Sequence, residues 1–273
     1  MKEKYLFYDA LVRGAGLGHT MCRYIYGLEL AQKKKMIYMP DIIRAGHGFH
    51  TLELGTIESF LGLPDYRQKR LDIKKDSGLI LNIPYQHELA NASIEIFNFS
   101  SESKAFLKDC FQNKRRLLFD NLFATDIINI AISIRRGDIV SPENKTGSHK
   151  NRLKNEQYYI DIAKAVVNEN KLKNYHIHIY SDGARHQTDQ YVDINNNILD
   201  IKQLFLNHFN SVSVYIANHK PKETMSHFQH CVDADYFIGS ISGFSQLISI
   251  FRKKNTTYLP LHKESNGQKH KRI

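Results

Sequence analysis

One run of eight residues constrains the fold more than any other: Ile127-Ile128-Asn129-Ile130-Ala131-Ile132-Ser133-Ile134. It is too short for a typical helix and too continuously apolar for a strand wet on one side. It fits a strand buried on both faces, as in a parallel sheet. The next four residues are Arg135-Arg136-Gly137-Asp138. Open α/β sheets bind ligands outside the carboxyl ends of their strands. Two planar, permanently charged guanidinium groups there suit a phosphate. A solvated basic turn is the plain alternative for these four residues taken alone.

The surrounding pattern supports the sheet. Strand-like Lys4–Val12 leads into Arg13-Gly14-Ala15-Gly16-Leu17-Gly18-His19, then a helical stretch from about Thr20 to Lys34 and a second strand, Met36–Met39. This order of strand, glycine turn, helix and strand reads as a βαβ unit. Short helices are expected at Thr56–Leu61 and Ser101–Leu118, and a strand at Leu79–Ile83. After Ile134 the spacing predicts helices over Glu156–Asn170, Ile198–His208, Lys222–Cys231 and Phe244–Arg252. Strands are predicted at Tyr175–Tyr180, Val212–Ala217, Tyr236–Ile238 and Thr256–Leu259. Strands alternating with helices imply an α/β fold with parallel sheets. Two units are expected, residues 1–122 and 123–273.

Composition excludes several classes. No apolar stretch is long enough to span a membrane, and the first residues, interrupted by Asp9, do not read as a signal peptide. Three well-separated cysteines, Cys22, Cys110 and Cys231, suggest a reducing compartment without a disulfide framework. The formal net charge of +10 attracts polyanions, anionic lipid headgroups or phosphorylated substrates. Nucleic acid is not the expected partner: no zinc finger, aromatic RNA-binding strand or helix-turn-helix is legible. The basic tail Lys269-His270-Lys271-Arg272 reads as a solvated face or a frayed end.

Three further motifs compete for a ligand. Gly14-x-Gly16-x-x-His19 nearly matches a dinucleotide fingerprint but has His19 in place of the third glycine; Asp41 would be its ribose-binding acid. Gly16-Leu17-Gly18-His19 opening a helix also brings backbone N–H groups toward a phosphate or sugar. Ser240-Ile241-Ser242-Gly243-Phe244-Ser245, between a strand and a helix, forms an anion cradle, an ordinary helix cap, or both. Ser181-Asp182 lies just past another strand end. Asp233-Ala234-Asp235 invites a divalent-metal reading, but it follows a helix and precedes a strand, so its carboxylates belong at the opposite edge of the sheet.

Gly-Leu-Gly-His before a helix, Ser-Ile-Arg-Arg-Gly-Asp after a strand, Tyr158-Tyr159 with Ala163, Tyr-Ser-Asp, and Asp235 with Ser-Ile-Ser-Gly-Phe-Ser occur here in one order. That order resembles the bacterial α-1,2-fucosyltransferases and the wider α-1,2/α-1,6/protein O-fucosyltransferase superfamily, over about residues 13 to 250. The chain departs from the pattern at Ser133, where the family usually has His, at His19-Thr20, where it commonly has Asn-Gln, and in lacking the tryptophans that often follow the last motif.

The resemblance implies a GT-B fold, two Rossmann-like domains facing a central cleft. The first would bind mainly acceptor and the second a GDP-sugar. It implies an inverting transfer, usually of L-fucose, to a glycan hydroxyl without a metal or other cofactor, in bacterial surface polysaccharide synthesis. The protein would then be cytoplasmic, with a possible anionic membrane surface as partner. On this reading Arg135 takes the charge growing on the leaving diphosphate, and Arg136 assists or braces the loop. Asp138 and Glu143 are the candidate bases. Gly16, Gly18, His19, Asp182, Ser240, Ser242, Phe244 and Ser245 complete the donor site. The alternatives are a metal-dependent Asp-x-Asp glycosyltransferase, a non-enzymatic polyanion- or lipid-binding protein, and an NAD-dependent oxidoreductase.

Overall fold

The structure is a computed structural model. It describes residues 4–8, 16–40, 52–53, 55–66, 69, 71–73, 80–83, 99–116, 118–140, 153–182, 190–217, 220–254, 256–265 and 268–272. The chain forms two compact units, Met1–Leu118 and Phe119–Ile273. The division falls ahead of the expected one because the connecting segment is attached to the second unit. The Phe119 N–H donates to Gln229 Oε1 at 3.0 Å, Gln229 Nε2 returns a bond to the Phe119 carbonyl at 2.8 Å, and His230 Nε2 donates to the Asp120 carbonyl at 2.9 Å.

In the first unit, β1 (Tyr5–Tyr8) lies between β2 (Ile37–Pro40) and β3 (Ile80–Ile83), parallel to both. Helix α1 (Leu17–Lys33) connects β1 to β2. It begins three residues earlier than its periodicity predicts. Gly16 takes the N-cap position, and Leu17 is buried, so burial of one apolar side chain outweighs the poor helix propensity of Gly18. Helix α2 (Thr56–Leu61) ends at Gly62, whose φ of +69° and position against the Cys110 carbonyl leave no room for a side chain. The stretch expected as one helix over 101–118 is α3 (Ser101–Asp109) followed by a single π-turn, Cys110–Lys114, and extended chain. Phe111 from that turn packs edge-on against Phe60 at 5.7 Å.

The second unit holds a six-stranded sheet. Its strands are β4 (Ile128–Ile134), β5 (Tyr175–Ser181), β6 (Val212–Ile216), β7 (Tyr236–Ile238), β8 (Thr257–Ser265) and β9 (Gln268–Arg272), in the order β6-β5-β4-β7-β8-β9. All neighbours are parallel except β8 and β9. The tail, read as a solvated face or a frayed end, is the antiparallel edge strand; its lysines and arginine give none of the apolar alternation that signals a strand.

Two helices cover one face. These are α4 (Glu156–Glu169) and α5 (Ile201–Leu206), whose Tyr159, Ile162, Val166 and Phe205 pack on Ile130, Ile132, Ile134, Ile177 and Ile179. Helix α5 is shorter than expected because Ile198 bridges back to Val192, so the chain turns before it coils. The other face carries Asn129 and Ser133 on β4 and His176, His178 and Tyr180 on β5, under α6 (Pro221–Asp233) and α7 (Gly243–Phe251). His178 donates through Nε2 to Asn129 Oδ1 at 3.0 Å. Phe123 and Tyr180 flank its ring, with centroids at 4.8 and 6.5 Å. Burial, together with His176 and His230 nearby, pushes the His178 pKa down to about 3. Among the described residues no helix is long and apolar enough to cross a membrane.

Candidate functional site

The topology of the second sheet singles out one location. From β4 the chain winds outward through β5 to β6, then crosses back to β7 on the other side of β4. The strand order reverses between β4 and β7. A crevice outside the carboxyl ends of two such strands is the general ligand site of open α/β sheets. The loop after β4 begins with Arg135, and the loop after β7 is Gly239–Gly243. The two motifs that the sequence singles out therefore flank the switch point. Ile132 pairs with Ile238, the last residue of β7, so β4 runs two residues past the end of β7 before its own loop begins. On the far side of β4, Ile134 pairs with Ser181, which sets Asp182 beside the first loop.

The two arginines part company. Arg135 is half-buried at the strand end. Arg136 is fully buried. Its Nη2 bonds to Glu156 Oε1 at 2.5 Å and to the Lys154 carbonyl at 3.0 Å. Its Nε donates to the Val192 carbonyl at 3.2 Å, and Nη1 to the Arg135 carbonyl at 2.9 Å. The guanidinium carbon lies 5.4 Å from the centre of the Tyr191 ring, and Tyr191 donates its hydroxyl to Glu156 Oε1 at 2.7 Å. Burial opposes the charge of Arg136, but Tyr191, Tyr159 and Glu156 outweigh it and raise the pKa. The expectation that Arg136 reaches a donor does not fit this arrangement: its nitrogens bond inward. Neighbours on extended backbone face opposite ways, so one arginine of the pair had to turn in.

Asp182 also serves the loop. Its Oδ1 accepts the Arg136 N–H at 2.6 Å. Gly137 has a φ of +37°, and a Cβ built on it would stand 2.6 Å from Asp182 Oδ2. Asp138 begins a one-turn 3-10 helix, Asp138–Val140, directly behind Gly137; its side chain, like that of His19, and the whole of Glu143 lie outside the described residues.

The serines form a closed set. Ser240, Ser242 and Ser245 are buried, and their Oγ atoms stand 3.1 to 3.2 Å apart. Ser245 Oγ accepts the Ser240 N–H at 3.0 Å, and Ser242 Oγ caps α7 by accepting the Ser245 N–H at 3.1 Å. Phe244, half-buried in the first turn of α7, packs edge-on against Phe228 at 5.5 Å. Gly16 and Gly18 lie at the start of α1 in the first unit.

Asp235 lies at the opposite edge of the sheet. Its Oδ2 accepts the Asn129 N–H at 2.8 Å and its Oδ1 pairs with Lys254. That carboxylate ties the start of β4 to the start of β7. Among the described residues no cluster of His, Cys, Asp and Glu could hold a metal ion.

Glu156 and Tyr191 are the site-supporting residues that the sequence did not reveal. Glu156 reads as an ordinary first-turn acid behind the Asn155 cap, favourable for the helix dipole. Tyr191 carries no signal at all.

The second unit is thus a doubly wound α/β domain whose switch point is flanked by a half-buried arginine and a serine-lined helix start. No protein-family model and no curated protein sequence matches the chain. Among solved structures, POFUT1 in complex with GDP is similar at a TM-score of 0.47 and 10% identity, over 93% of this chain and 97% of that one. POFUT1 in complex with GDP-fucose is similar at 0.32 and 12%, over 93% and 73%. The iron-containing dodecameric glycosyltransferase TibC from enterotoxigenic E. coli is similar at 0.41 and 13%; the match covers 95% of this chain and 58% of TibC.

Proposed function

We propose that the protein is an inverting, metal-independent glycosyltransferase of GT-B type. It moves a sugar, L-fucose in the first instance, from a GDP-sugar to a glycan hydroxyl of galactoside type. One observation carries this reading: Arg135 and the Ser240–Ser245 segment flank the strand-order reversal of the second unit. The GDP-sugar diphosphate lies between them. In the reaction the acceptor oxygen attacks the anomeric carbon from the face opposite the diphosphate. The bond from that carbon to the β-phosphate oxygen breaks, and its electron pair leaves with GDP. Arg135 takes up the growing negative charge, aided by the first N–H groups of α7. Asp138 is assigned as the base that receives the acceptor proton, with Glu143 as second candidate. The setting is glycan assembly in the cytoplasm against an anionic membrane face, which suits the charge of +10.

Arg135→Ala tests the reading, assayed with GDP-fucose and a galactoside. Transfer should fall about 10²–10³-fold, as on losing one oxyanion donor. Transfer at the wild-type rate would sink the role given to Arg135. Stabilisation against heat by GDP but not by UDP or NAD is expected alongside it.

A further inference from the structure

A buried ion pair behind the loop is an expensive way to fill a core. Removing two charges from water costs several kcal/mol each, and apolar residues of the same volume often serve stability equally well. Arg136 and Glu156 occupy such a position, 0% and 8% exposed, directly under the residue assigned to the diphosphate. Their geometry is directed at that residue. Arg136 Nη1 grips the Arg135 carbonyl, and the Arg136 N–H is held by Asp182. The peptide that joins the two arginines is therefore held at both its oxygen and its nitrogen. The far end of the guanidinium is fixed by Glu156 at the first residue of α4 and by the carbonyls of Lys154 and Val192. Glu156 is itself fixed by the Tyr191 hydroxyl on the same oxygen. A guanidinium suits this task because its planar fork bonds in several directions at once.

We infer that Arg136, Glu156 and Tyr191 are positioning residues. They hold the backbone of Arg135 so that its guanidinium meets the donor diphosphate without having to be ordered on binding. This rests on the function proposed above. The three side chains touch no substrate; they act through Arg135. Breaking a clamp that serves only stability would lower the unfolding free energy and leave GDP affinity unchanged.

The test is a double-mutant cycle on the full chain. Glu156→Gln and Tyr191→Phe are each made in the wild type and in Arg135→Ala. GDP affinity is read by calorimetry and stability by urea denaturation. Glu156→Gln should weaken GDP about tenfold in the wild type and less than about twofold once Arg135 is gone, with Tyr191→Phe changing affinity in the same pattern to a smaller extent. The stability loss of each variant should be the same in both backgrounds. Equal weakening in both backgrounds, or none in the wild type, overturns the inference. Should Glu156→Gln not fold, Tyr191→Phe alone decides by the same criterion. A different failure marks the parent reading: if Arg135→Ala leaves GDP binding untouched, the assignment of Arg135 falls first and the positioning role with it.

Discussion

Gly137→Ala would place a methyl group where the loop has no space for one. The φ of +37° is a left-handed conformation, which disfavours any residue with a Cβ by about 1–2 kcal/mol. The new Cβ would stand 2.6 Å from Asp182 Oδ2 and 2.9 Å from its Cγ, too close for either, so the carboxylate must move. That movement breaks the 2.6 Å bond from the Arg136 N–H, a charge-assisted contact worth about 1.5–3 kcal/mol. Asp182 is half-buried and yields part of the strain by rotating, so the expected loss is about 3 kcal/mol. Urea denaturation followed by far-UV circular dichroism measures it; the chain has no tryptophan to report by fluorescence. The same change in Asp182→Ala isolates the cause. With the carboxylate already gone, Gly137→Ala should cost only the left-handed strain, about 1–2 kcal/mol. The reasoning fails if Gly137→Ala stays within about 0.5 kcal/mol of wild type, the range of an inert surface change. It also fails if the cost is undiminished in Asp182→Ala.

Acid should destabilise the second unit through its buried histidine stack. His178 has a folded pKa of about 3 against an ordinary 6.5, so the unfolded chain takes up a proton that the folded chain refuses. Its contribution is intact above pH 6.5 and declines below that by about 1.4 kcal/mol per pH unit until about pH 3. His178→Gln keeps a donor for Asn129 and should remove about 1.4 kcal/mol of the stability lost between about pH 7.5 and 5.5; an unchanged loss, read from urea midpoints at both pH values, would refute the assignment. Arg252 closes the end of α6, with Nη1 on the Cys231 and Val232 carbonyls at 2.6 and 3.2 Å and Nη2 on the Asp235 carbonyl at 3.0 Å. Burial pulls its pKa down to about 10, so it stays charged at neutral pH. Arg252→Met should cost about 3 kcal/mol by removing the donor from the Cys231 and Val232 carbonyls, while the Asp235 carbonyl keeps the Thr256 hydroxyl; a melting curve near that of the wild type would contradict the cap.

The second sheet was legible because burial on both faces leaves a plain mark. Ile127–Ile134 could hardly be anything but a central strand, and Tyr158, Ile162 and Val166 gave α4 its stripe. What stayed hidden depends on partners distant in sequence. Nothing local distinguishes Arg135 from Arg136. The inward turn of Arg136 is decided by Glu156 and Tyr191, which lie twenty and fifty-five positions further along the chain. Ser240-x-Ser242-x-x-Ser245 read correctly as a cap, since Ser242 accepts the Ser245 N–H. Its hydroxyls were also expected to face a ligand, and that could not be judged without knowing that Gly239 brings Ser240 down onto Ser245. A Cβ at Gly239 would meet that of Ser245 at 2.8 Å. The edge strand β9 was missed because the outermost strand needs no apolar face, and its lysines are what such an edge favours.

The division of labour between the arginines changes where the site's positive charge comes from. If both faced the diphosphate, two full charges would meet it. Arg136 is paired with Glu156, and the serines do not replace its charge. Ser242 can donate to Ser245, Ser245 to Ser240 and Ser240 to Ser242 within the observed distances, a ring that uses every hydroxyl hydrogen internally. The ring's work is to shape the start of α7. The backbone there supplies the outward donors, since Ser242 caps only the Ser245 N–H and its carbonyl takes the Gln246 N–H. A helix start carries about half a positive charge, and on the proposed function it acts with Arg135 on the diphosphate. The peptide that carries Arg135 and the start of α7 are both held in place by the fold itself. Fixed dipoles and charges cost no reorganisation as a leaving group becomes more negative, which is what the proposed transfer without a metal requires.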